Sequence, residues 1–207
     1  MKNVTISELP ERSRRRIVQL TQLLSRIPEA QTITSADIEK MTGWTSSVIR
    51  RDISLIGCQC GATKGYNAGK LLKSLKDALG HTETVEKKCC IVGLGKLGEA
   101  LFSSNLLEGT PFRISAGFDA SVNRTEVLKA SFPLYPTPEL ETVIKREGIK
   151  YAILTVPDSE AQKIADRLFA CGIRGIVNYT GIMIVHPSDS AVENVSLITA
   201  LSDLAAS

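Results

Sequence analysis

A glycine-rich turn directly after an apolar run is the feature that most limits what this chain can fold into. The run at residues 89–92 leads into Gly93-Leu94-Gly95-Lys96-Leu97-Gly98, a G-x-G-x-x-G motif. In this pattern the first glycine permits a tight turn, the second lets backbone N–H groups approach a pyrophosphate, and the third lets the next helix pack closely on the strand. The motif predicts a dinucleotide-binding unit; the alternative, that these glycines only turn a Rossmann-like domain, stays open.

An acidic residue follows at the interval that such units use. Asp119 ends the next predicted strand, 21 residues after Gly98. A carboxylate at this point accepts hydrogen bonds from the adenosine ribose and repels a 2′-phosphate, which favours NAD(H) over NADP(H). Arg124 qualifies this preference, although five residues after the aspartate is late for a phosphate-binding partner.

Two later predicted strands end in residues that belong at the same edge of the sheet. They are Thr155, Val156 and Pro157 after one strand, and Asn178 and Tyr179 after the next. Because ligands bind open α/β sheets beyond the carboxyl ends of the strands, all five residues are predicted to lie at the ligand edge, and Asn178 and Tyr179 are candidates for a wall on the nicotinamide side. The equal alternative is that they only begin loops.

The second half of the chain alternates between strand and helix patterns. Strands are predicted at 88–93, 112–118, 151–156, 174–179 and 182–186, and helices at 96–107, 122–130, 138–147 and 159–171. This alternation predicts an α/β fold with a Rossmann-type, doubly wound parallel sheet. A last helix is predicted at 192–205, carrying the apolar residues Val195, Leu197, Ile198, Leu201 and Leu204.

The first 80 residues show helical periodicity instead. Helices are predicted at 8–27 and from a capping box at Thr34-Ser35-Ala36-Asp37 to Met41, followed by a third that Thr45 or Ser46 caps and that runs to Ile56. Two short helices joined by a glycine-containing turn predict a helix-turn-helix. The glycine-rich stretch 58–69 predicts a two-stranded wing, and residues 70–80 a further helix.

The third helix has the character of a DNA-recognition helix. Ile49, Ile53 and Ile56 face inward, which leaves hydroxyls and arginines toward solvent, where they suit close approach to DNA and pairing with guanine. Residues 1–85 carry 13 Lys and Arg against 8 Asp and Glu, whereas residues 86–207 carry 12 against 14. A solvated basic face or a protein-binding surface remains an alternative. The predicted DNA-binding residues are Arg12, Arg14, Arg15, Arg16, Thr45, Ser46, Ser47, Arg50, Arg51, Ser54, Lys64 and Tyr66.

The remaining reactive side chains do not predict an enzyme. Five cysteines are an odd number for a disulfide framework, so reduced thiols are expected, although Cys58 and Cys60 can oxidise or hold metal. His81 and His186 are the only histidines; they are too few for a zinc site and badly placed as proton donors. We therefore predict no metal and no catalytic residue. No signal peptide or membrane span is recognisable, and a cytoplasmic location is expected.

The sequence resembles the redox-sensing transcriptional repressor Rex family, in order along nearly the whole chain. Besides the glycine motif, the resemblance rests on Arg50-Arg51-Asp52-Ile53-Ser54, Gly57, Gly65-Tyr66-Asn67, Thr155-Val156-Pro157, Gly172-Ile173-Arg174-Gly175-Ile176-Val177-Asn178 and Val192-Glu193-Asn194-Val195. It implies a homodimer whose C-terminal helix packs on the partner's winged-helix domain and whose palindromic operator is released when NADH binds. The implied domains are 1–81 for DNA, 82–190 for NAD(H) and 191–207 for the terminal helix.

Some positions depart from the family pattern and bear on operator sequence and on NADH/NAD+ discrimination. Gly61 and Ala62 stand where the wing usually has a basic pair, and Ser104 where an aromatic is expected. Tyr179-Thr180-Gly181 replaces a Phe-Ala-Pro segment, and the last helix ends without an aromatic. The leading hypothesis is a repressor that senses the NADH/NAD+ ratio. The alternatives are a small NAD-dependent oxidoreductase and a DNA-binding repressor with weak or no redox response.

Overall fold

The chain forms two compact units, Met1–Val85 and Glu86–Ser207, here called the N-terminal and C-terminal units. The structure is a computed structural model that describes residues 9–58, 60–61, 65–80, 86–104 and 106–206. In that part of the chain, no helix is long and apolar enough to cross a membrane.

Among the described residues, the N-terminal unit has four helices and a small two-stranded sheet. The helices are α1 (Glu11–Leu24), α2 (Ser35–Thr42), α3 (Ser46–Leu55) and α4 (Ala68–Ala78). Strand β1 (Thr32–Ile33) pairs antiparallel with β2 (Tyr66–Asn67). The order of α2, turn and α3 confirms the predicted helix-turn-helix.

Local sequence explains where these helices begin and end. Pro10 is the N-cap of α1, so the helix starts later than predicted, and Ile17, Leu20 and Leu24 form its buried stripe. At α2 the capping box is present: the Thr34 hydroxyl accepts from the Asp37 N–H at 3.1 Å, and the Asp37 carboxylate accepts from the Thr34 N–H at 2.9 Å. The Thr34 hydroxyl also donates to the Asp37 carboxylate at 2.6 Å, and this bond, together with the one from the Thr34 N–H, lowers the pKa of Asp37.

The predicted wing is built differently. Residues 66–67 form the only strand among the described residues of the stretch 58–69, and their partner is β1, which precedes α2. A two-stranded hairpin within 58–69 is therefore not what the described residues show. Ala62 and Lys64 lie outside the described residues, as does His81 of the predicted linker.

The C-terminal unit is built on a six-stranded parallel sheet in the order β5-β4-β3-β6-β7-β8. The chain starts at the centre with β3, moves outward to β5, and returns to build the other half from β6, so the topological switch point lies between β3 and β6. The strands are β3 (Lys87–Val92), β4 (Phe112–Asp119), β5 (Leu134–Pro136), β6 (Tyr151–Leu154), β7 (Gly175–Asn178) and β8 (Ala191–Asn194).

Five helices accompany the sheet. They are α5 (Lys96–Ser103), α6 (Val122–Val127), α7 (Leu140–Glu147), α8 (Asp158–Ala170) and α9 (Leu197–Ala205), with a 3-10 turn at Thr137–Glu139 before α7. The predicted Rossmann-type arrangement is confirmed, and Phe118, Leu140 and Leu154 are fully buried in its core.

One strand prediction and the start of one helix prediction are wrong at the end of the sheet. Residues 182–186 do not form a strand, although burial alternates there, with Ile184 buried and Met183 and Val185 exposed. Gln162 of α8 takes the place of a neighbouring strand, because its amide accepts from the Val185 N–H at 2.9 Å and donates to the Val185 carbonyl at 3.0 Å. The edge strand is instead β8, which was predicted as the start of the terminal helix. The short strand β5 was not predicted.

An ion pair between α1 and α3 generates a stability prediction. The Arg16 guanidinium donates to both carboxylate oxygens of Asp52, at 2.6 and 3.0 Å, and this contact raises the pKa of Arg16. The Asp52 side chain is only 4% exposed. Replacing Asp52 by Ala leaves a largely buried guanidinium without its partner, so we expect a loss of about 3 kcal/mol in the free energy of unfolding.

Urea unfolding followed by the fluorescence of Trp44, the single tryptophan, reports on this unit. Glu11→Gln is the control, since Glu11 pairs with Arg15 at the surface, and we expect it to cost less than about 0.5 kcal/mol. Equal losses for the two variants would contradict the assignment.

Candidate dinucleotide site and nucleic-acid interface

The first and third glycines of the motif are required by the packing of the protein itself. Gly93 has φ +97°, and a Cβ there would lie 2.6 Å from the Thr155 carbonyl oxygen. A Cβ on Gly98 would lie 2.0 Å from the Gly93 carbonyl oxygen. The turn and α5 therefore sit directly on the ends of β3 and β6.

The packing of the protein does not require a glycine at the second position of the motif. Gly95 has φ −69°, which any residue adopts, and a Cβ there would meet no atom within 4 Å. Gly95 is the N-cap of α5, and no side chain caps the helix. The first-turn N–H groups of a helix lack intrahelical partners and attract anions. Open space beside these donors fits the close approach of a pyrophosphate.

The other loop residues divide between packing and surface. Leu94 is buried, whereas Lys96 and Leu97 are exposed on the first turn of α5. Of these predicted loop residues, Lys96 and Leu97 have side chains open to solvent, whereas the Leu94 N–H donates to the Asp119 carboxylate.

The Asp119 carboxylate accepts more hydrogen bonds from the protein itself than the sequence predicted. Its carboxylate accepts from the Leu94 N–H at 2.7 Å, from the Ser121 N–H at 2.8 Å and from Arg124 Nη1 at 3.0 and 3.1 Å. Since an ionised carboxylate has about four acceptor positions, little capacity is left for a ribose. Asp119 holds the glycine turn against the end of β4, in addition to any contact with a ligand.

Arg124, which comes late after Asp119 for a phosphate-binding partner, pairs in the structure with the Asp119 carboxylate itself. Ser121 caps α6, and this short helix turns back so that the guanidinium reaches Asp119. The Arg124 side chain is 46% exposed, whereas that of Asp119 is 5% exposed. Arg124 is therefore the charged group that solvent meets at this point of the site.

Thr155 connects the two central strands at the switch point. Its hydroxyl lies 2.7 Å from the Gly93 carbonyl oxygen and 3.1 Å from that of Val92, and it donates to this pair. Val156 is half-buried and Pro157 is the exposed N-cap of α8. All three lie at the carboxyl end of β6, where the sequence predicted them.

The side chain of Asn178 is directed inward rather than toward a ligand. Its amide nitrogen donates to the Ile182 carbonyl at 2.8 Å and to Asn194 Oδ1 at 2.9 Å, while its oxygen accepts from the N–H and hydroxyl of Thr180. Asn178 is 1% exposed. It shapes the loop after β7, and the half-buried Tyr179 is the residue beside it that is left to form a wall of the site.

Asp158 is a residue of this edge that the sequence reasoning missed. Its carboxylate accepts from the Gly181 N–H at 2.7 Å, and a Cβ on Gly181 would lie 2.6 Å from the other carboxylate oxygen. A side chain at position 181 would displace the Asp158 carboxylate from this hydrogen bond. No spacing rule connects the two positions, since they meet only across the sheet edge.

In the N-terminal unit, α3 presents the predicted face. Ile49 and Ile53 are buried, and Ser47, Arg50, Arg51 and Ser54 are exposed. The Ser46 N–H and hydroxyl both donate to the Glu39 carboxylate, which lowers the pKa of Glu39 and locks the turn between α2 and α3. The hydroxyls of Thr45 and Ser47 lie 3.0 Å apart, and Arg50 donates to Ser35 Oγ at 3.0 Å.

Several residues that were predicted to contact phosphate make contacts within the protein instead. Arg16 is committed to Asp52, and Tyr66 is buried in the core of the unit, so both serve packing rather than the exposed basic surface predicted for them. Arg12 and Arg14 are exposed, and Arg15 pairs with Glu11 at 2.9 Å.

The cysteines fall into one joined pair and three free thiols. Cys58 and Cys60 form a disulfide, which differs from the expected reduced pair, whereas Cys89, Cys90 and Cys171 are buried free thiols. No group of metal-ligating side chains is assembled among the described residues.

Helix α9 exposes a row of large apolar side chains, Leu197, Ile198, Leu201 and Leu204, at 57–79%.

Comparison with known proteins places this geometry in a family. Residues 84–182 match the model of the CoA binding domain. The chain is 32% identical over 199 residues to "Redox-sensing transcriptional repressor Rex" of Limosilactobacillus reuteri, covering 95% of this chain and 92% of the relative. It is 34% identical over 172 residues to the protein of that name from Limosilactobacillus fermentum, covering 83% and 79%.

Solved structures give the same result. The Rex-family repressor RSP in complex with β-NAD+ and operator DNA aligns with a TM-score of 0.83 at 28% identity, covering 95% of this chain and 91% of the other. RSP in complex with β-NADH aligns with a TM-score of 0.82 at 27% identity, covering 95% and 92%.

The different demands on the glycines predict different effects on stability. Gly98→Ala forces a methyl group against the Gly93 carbonyl and should cost about 3 kcal/mol in the free energy of unfolding. Gly95→Ala meets open space and should cost only about 1 kcal/mol, the difference between glycine and the poorer N-cap alanine. Urea unfolding followed by far-ultraviolet circular dichroism measures both, and equal effects would refute the packing argument.

Proposed function

The chain belongs to the redox-sensing transcriptional repressor Rex family, and on that premise we propose that it is a repressor that releases its operator DNA when NADH binds. The observation that carries this proposal is the match to RSP over 95% of the chain, since that protein has been solved with operator DNA and with both nicotinamide dinucleotides. The family match and the uncapped glycine turn point to one ligand, NAD(H).

The residues at the switch point fit this ligand. Gly95 and the first turn of α5 would hold the pyrophosphate, because the space beside Gly95 is open and the N–H groups there lack intrahelical partners. Asp119 and Arg124 would lie at the adenosine end, and Thr155, Val156, Pro157 and Tyr179 at the nicotinamide end. NAD(H) bound in this way reports the redox state of its pool without a chemical step on the protein.

Release of DNA by NADH is a linkage between two binding equilibria. NADH shifts the protein only if it binds the DNA-incompetent state more tightly than the DNA-competent one. The coupling is reciprocal, so operator DNA must weaken NADH binding by the same factor. Stronger binding of NADH than of NAD+ to the incompetent state then converts the NADH/NAD+ ratio into operator occupancy.

We further propose a homodimer that binds a palindromic operator. The exposed apolar row on α9 supports this, because large apolar side chains at such exposure mark an interaction surface. The partner's winged-helix unit is the occupant that the family implies. Two copies of α3 in a twofold dimer then read two half-sites of the duplex. A repressor of this kind acts in the cytoplasm. It is not an enzyme, and turnover of NADH with hydroxy acids or aldehydes would contradict that part of the proposal.

The first functional prediction concerns Gly95. Gly95→Ala should weaken NADH binding at least about tenfold, because the methyl group enters the space proposed for the pyrophosphate, and about 1.4 kcal/mol of lost contact produces that factor. Titration of NADH fluorescence measures the dissociation constant, and far-ultraviolet circular dichroism verifies that the variant is folded. An unaltered dissociation constant would place the ligand elsewhere.

The second functional prediction concerns the arginines on α3. Replacing Arg50 and Arg51 by Ala should lower operator affinity about 100-fold or more, since one bidentate arginine–guanine pair contributes about 1–3 kcal/mol. NADH affinity should stay unchanged. Fluorescence anisotropy with an operator selected from random duplexes measures the loss. The charge-matched control replaces Arg113 and Arg174, exposed arginines of the C-terminal unit; equal losses in both double variants would refute the assignment.

A further inference from the structure

The disulfide in the N-terminal unit has no place in the function proposed above. Cys58 and Cys60 are two residues apart and joined through their sulfurs, with a Cα–Cα distance of 5.5 Å. That separation lies within the range that disulfides adopt. The bond lies just after the recognition helix α3 and before β2.

Each of the two cysteines contacts a different part of the unit. Cys58 follows Gly57, which has φ +68° and ends the α3 turn, and it is half-buried at the edge of the core. Cys60 is 8% exposed, its sulfur lies 3.7 Å from the Ser74 hydroxyl of α4, and its carbonyl accepts from the Asn67 N–H at 3.4 Å. The disulfide thus ties the end of α3 to the contacts that Cys60 makes with α4 and β2.

The other cysteines are poor competitors for oxidation. Cys89, Cys90 and Cys171 are buried in the C-terminal unit, and burial raises the pKa of each thiol, that of Cys89 to about 12. Since the thiolate is the reactive form, these three residues stay protonated and inert near neutral pH. Thiol chemistry is therefore confined to the pair at positions 58 and 60.

We propose that Cys58 and Cys60 form a reversible thiol–disulfide site that sets operator affinity, with the disulfide form binding DNA more tightly than the dithiol form. Its oxidant is a low-molecular-weight disulfide. The effect on DNA rests on the proposed repressor function, whereas the formation of the disulfide does not.

The exchange balances in two steps. The Cys58 thiolate, the more exposed of the pair, attacks the small disulfide, forming a mixed disulfide and releasing one small thiol. The Cys60 thiolate then attacks the Cys58 sulfur and displaces the second small thiol. Two protein thiols are oxidised to one disulfide, one small-molecule disulfide is reduced to two thiols, and the two protons leave with the released thiols.

The disulfide restricts the motion of the chain, and this restriction predicts which redox form binds the operator more tightly. Segments that become ordered at an interface reduce affinity, and a bond that orders them beforehand removes part of that cost. The disulfide joins Cys60 to Cys58, which follows closely after the end of α3, the helix that carries Arg50 and Arg51. We expect the disulfide form to bind the operator about three- to tenfold more tightly than the dithiol form.

Formation of the bond is tested first, on the full chain. The reduced protein is incubated with glutathione disulfide, alkylated and analysed by peptide mass spectrometry. We expect loss of two hydrogens in the peptide that contains Cys58 and Cys60, reversal by dithiothreitol, and alkylation of the other three cysteines only after unfolding. Oxidation at Cys89, Cys90 or Cys171 in preference to this pair would overturn the inference.

Operator binding is tested next, by anisotropy without nicotinamide at one fixed salt concentration. Cys58→Ser and Cys60→Ala remove the bond at its half-buried and its buried end, and Trp44 fluorescence verifies that each variant is folded. We expect oxidant to tighten binding by the wild-type protein only, with both variants staying at the affinity of the reduced wild type. Equal affinities of the two wild-type forms, or an oxidant response in both variants, would overturn the inference. Failure of both forms to bind any selected duplex would instead contradict the proposed function.

Discussion

Backbone contact between Gly93 and Gly98 positions α5 on the sheet, and the dinucleotide site is built around this contact. Because neither residue has a side chain, the helix lies close enough for its first turn to face the switch point between β3 and β6. Two polar groups hold the turn in place: Asp119 accepts the Leu94 N–H, and the Thr155 hydroxyl donates to the Gly93 carbonyl. With the fold supplying these restraints, Gly95 is left free to face a ligand.

The N-terminal unit uses charge to hold its recognition helix. Asp52, on the inner side of α3, is paired with Arg16 of α1, and Glu39 of α2 accepts two hydrogen bonds from Ser46 at the start of α3. Asp52 is buried, so its ion pair lies on the inner side of α3, whereas Arg51 and Ser54 are exposed. The exposed face can therefore carry unpaired polar groups without loosening the helix, as a DNA-reading surface requires.

Much of this was predictable because the deciding interactions are local. The glycine motif, the capping box at Thr34 and the inward isoleucines of α3 each lie within one turn or one strand–turn unit. The errors come from interactions between distant positions. Residues 182–186 alternate like a strand, but Gln162 provides their hydrogen bonds, and the inward amide of Asn178 depends on Asn194. The pairing of Arg16 with Asp52 and the burial of Tyr66 likewise depend on residues distant in sequence.

The account depends on coupling between the dinucleotide site and DNA. The direct measurement is the fraction of a fluorescently labelled palindromic operator bound by the protein as NADH or NAD+ is titrated, at one fixed salt concentration because phosphate contacts are salt-sensitive. We predict that NADH releases the operator, that NAD+ does not, and that operator DNA weakens NADH binding by the same factor. Identical operator occupancy with NADH, with NAD+ and without nicotinamide would contradict the account.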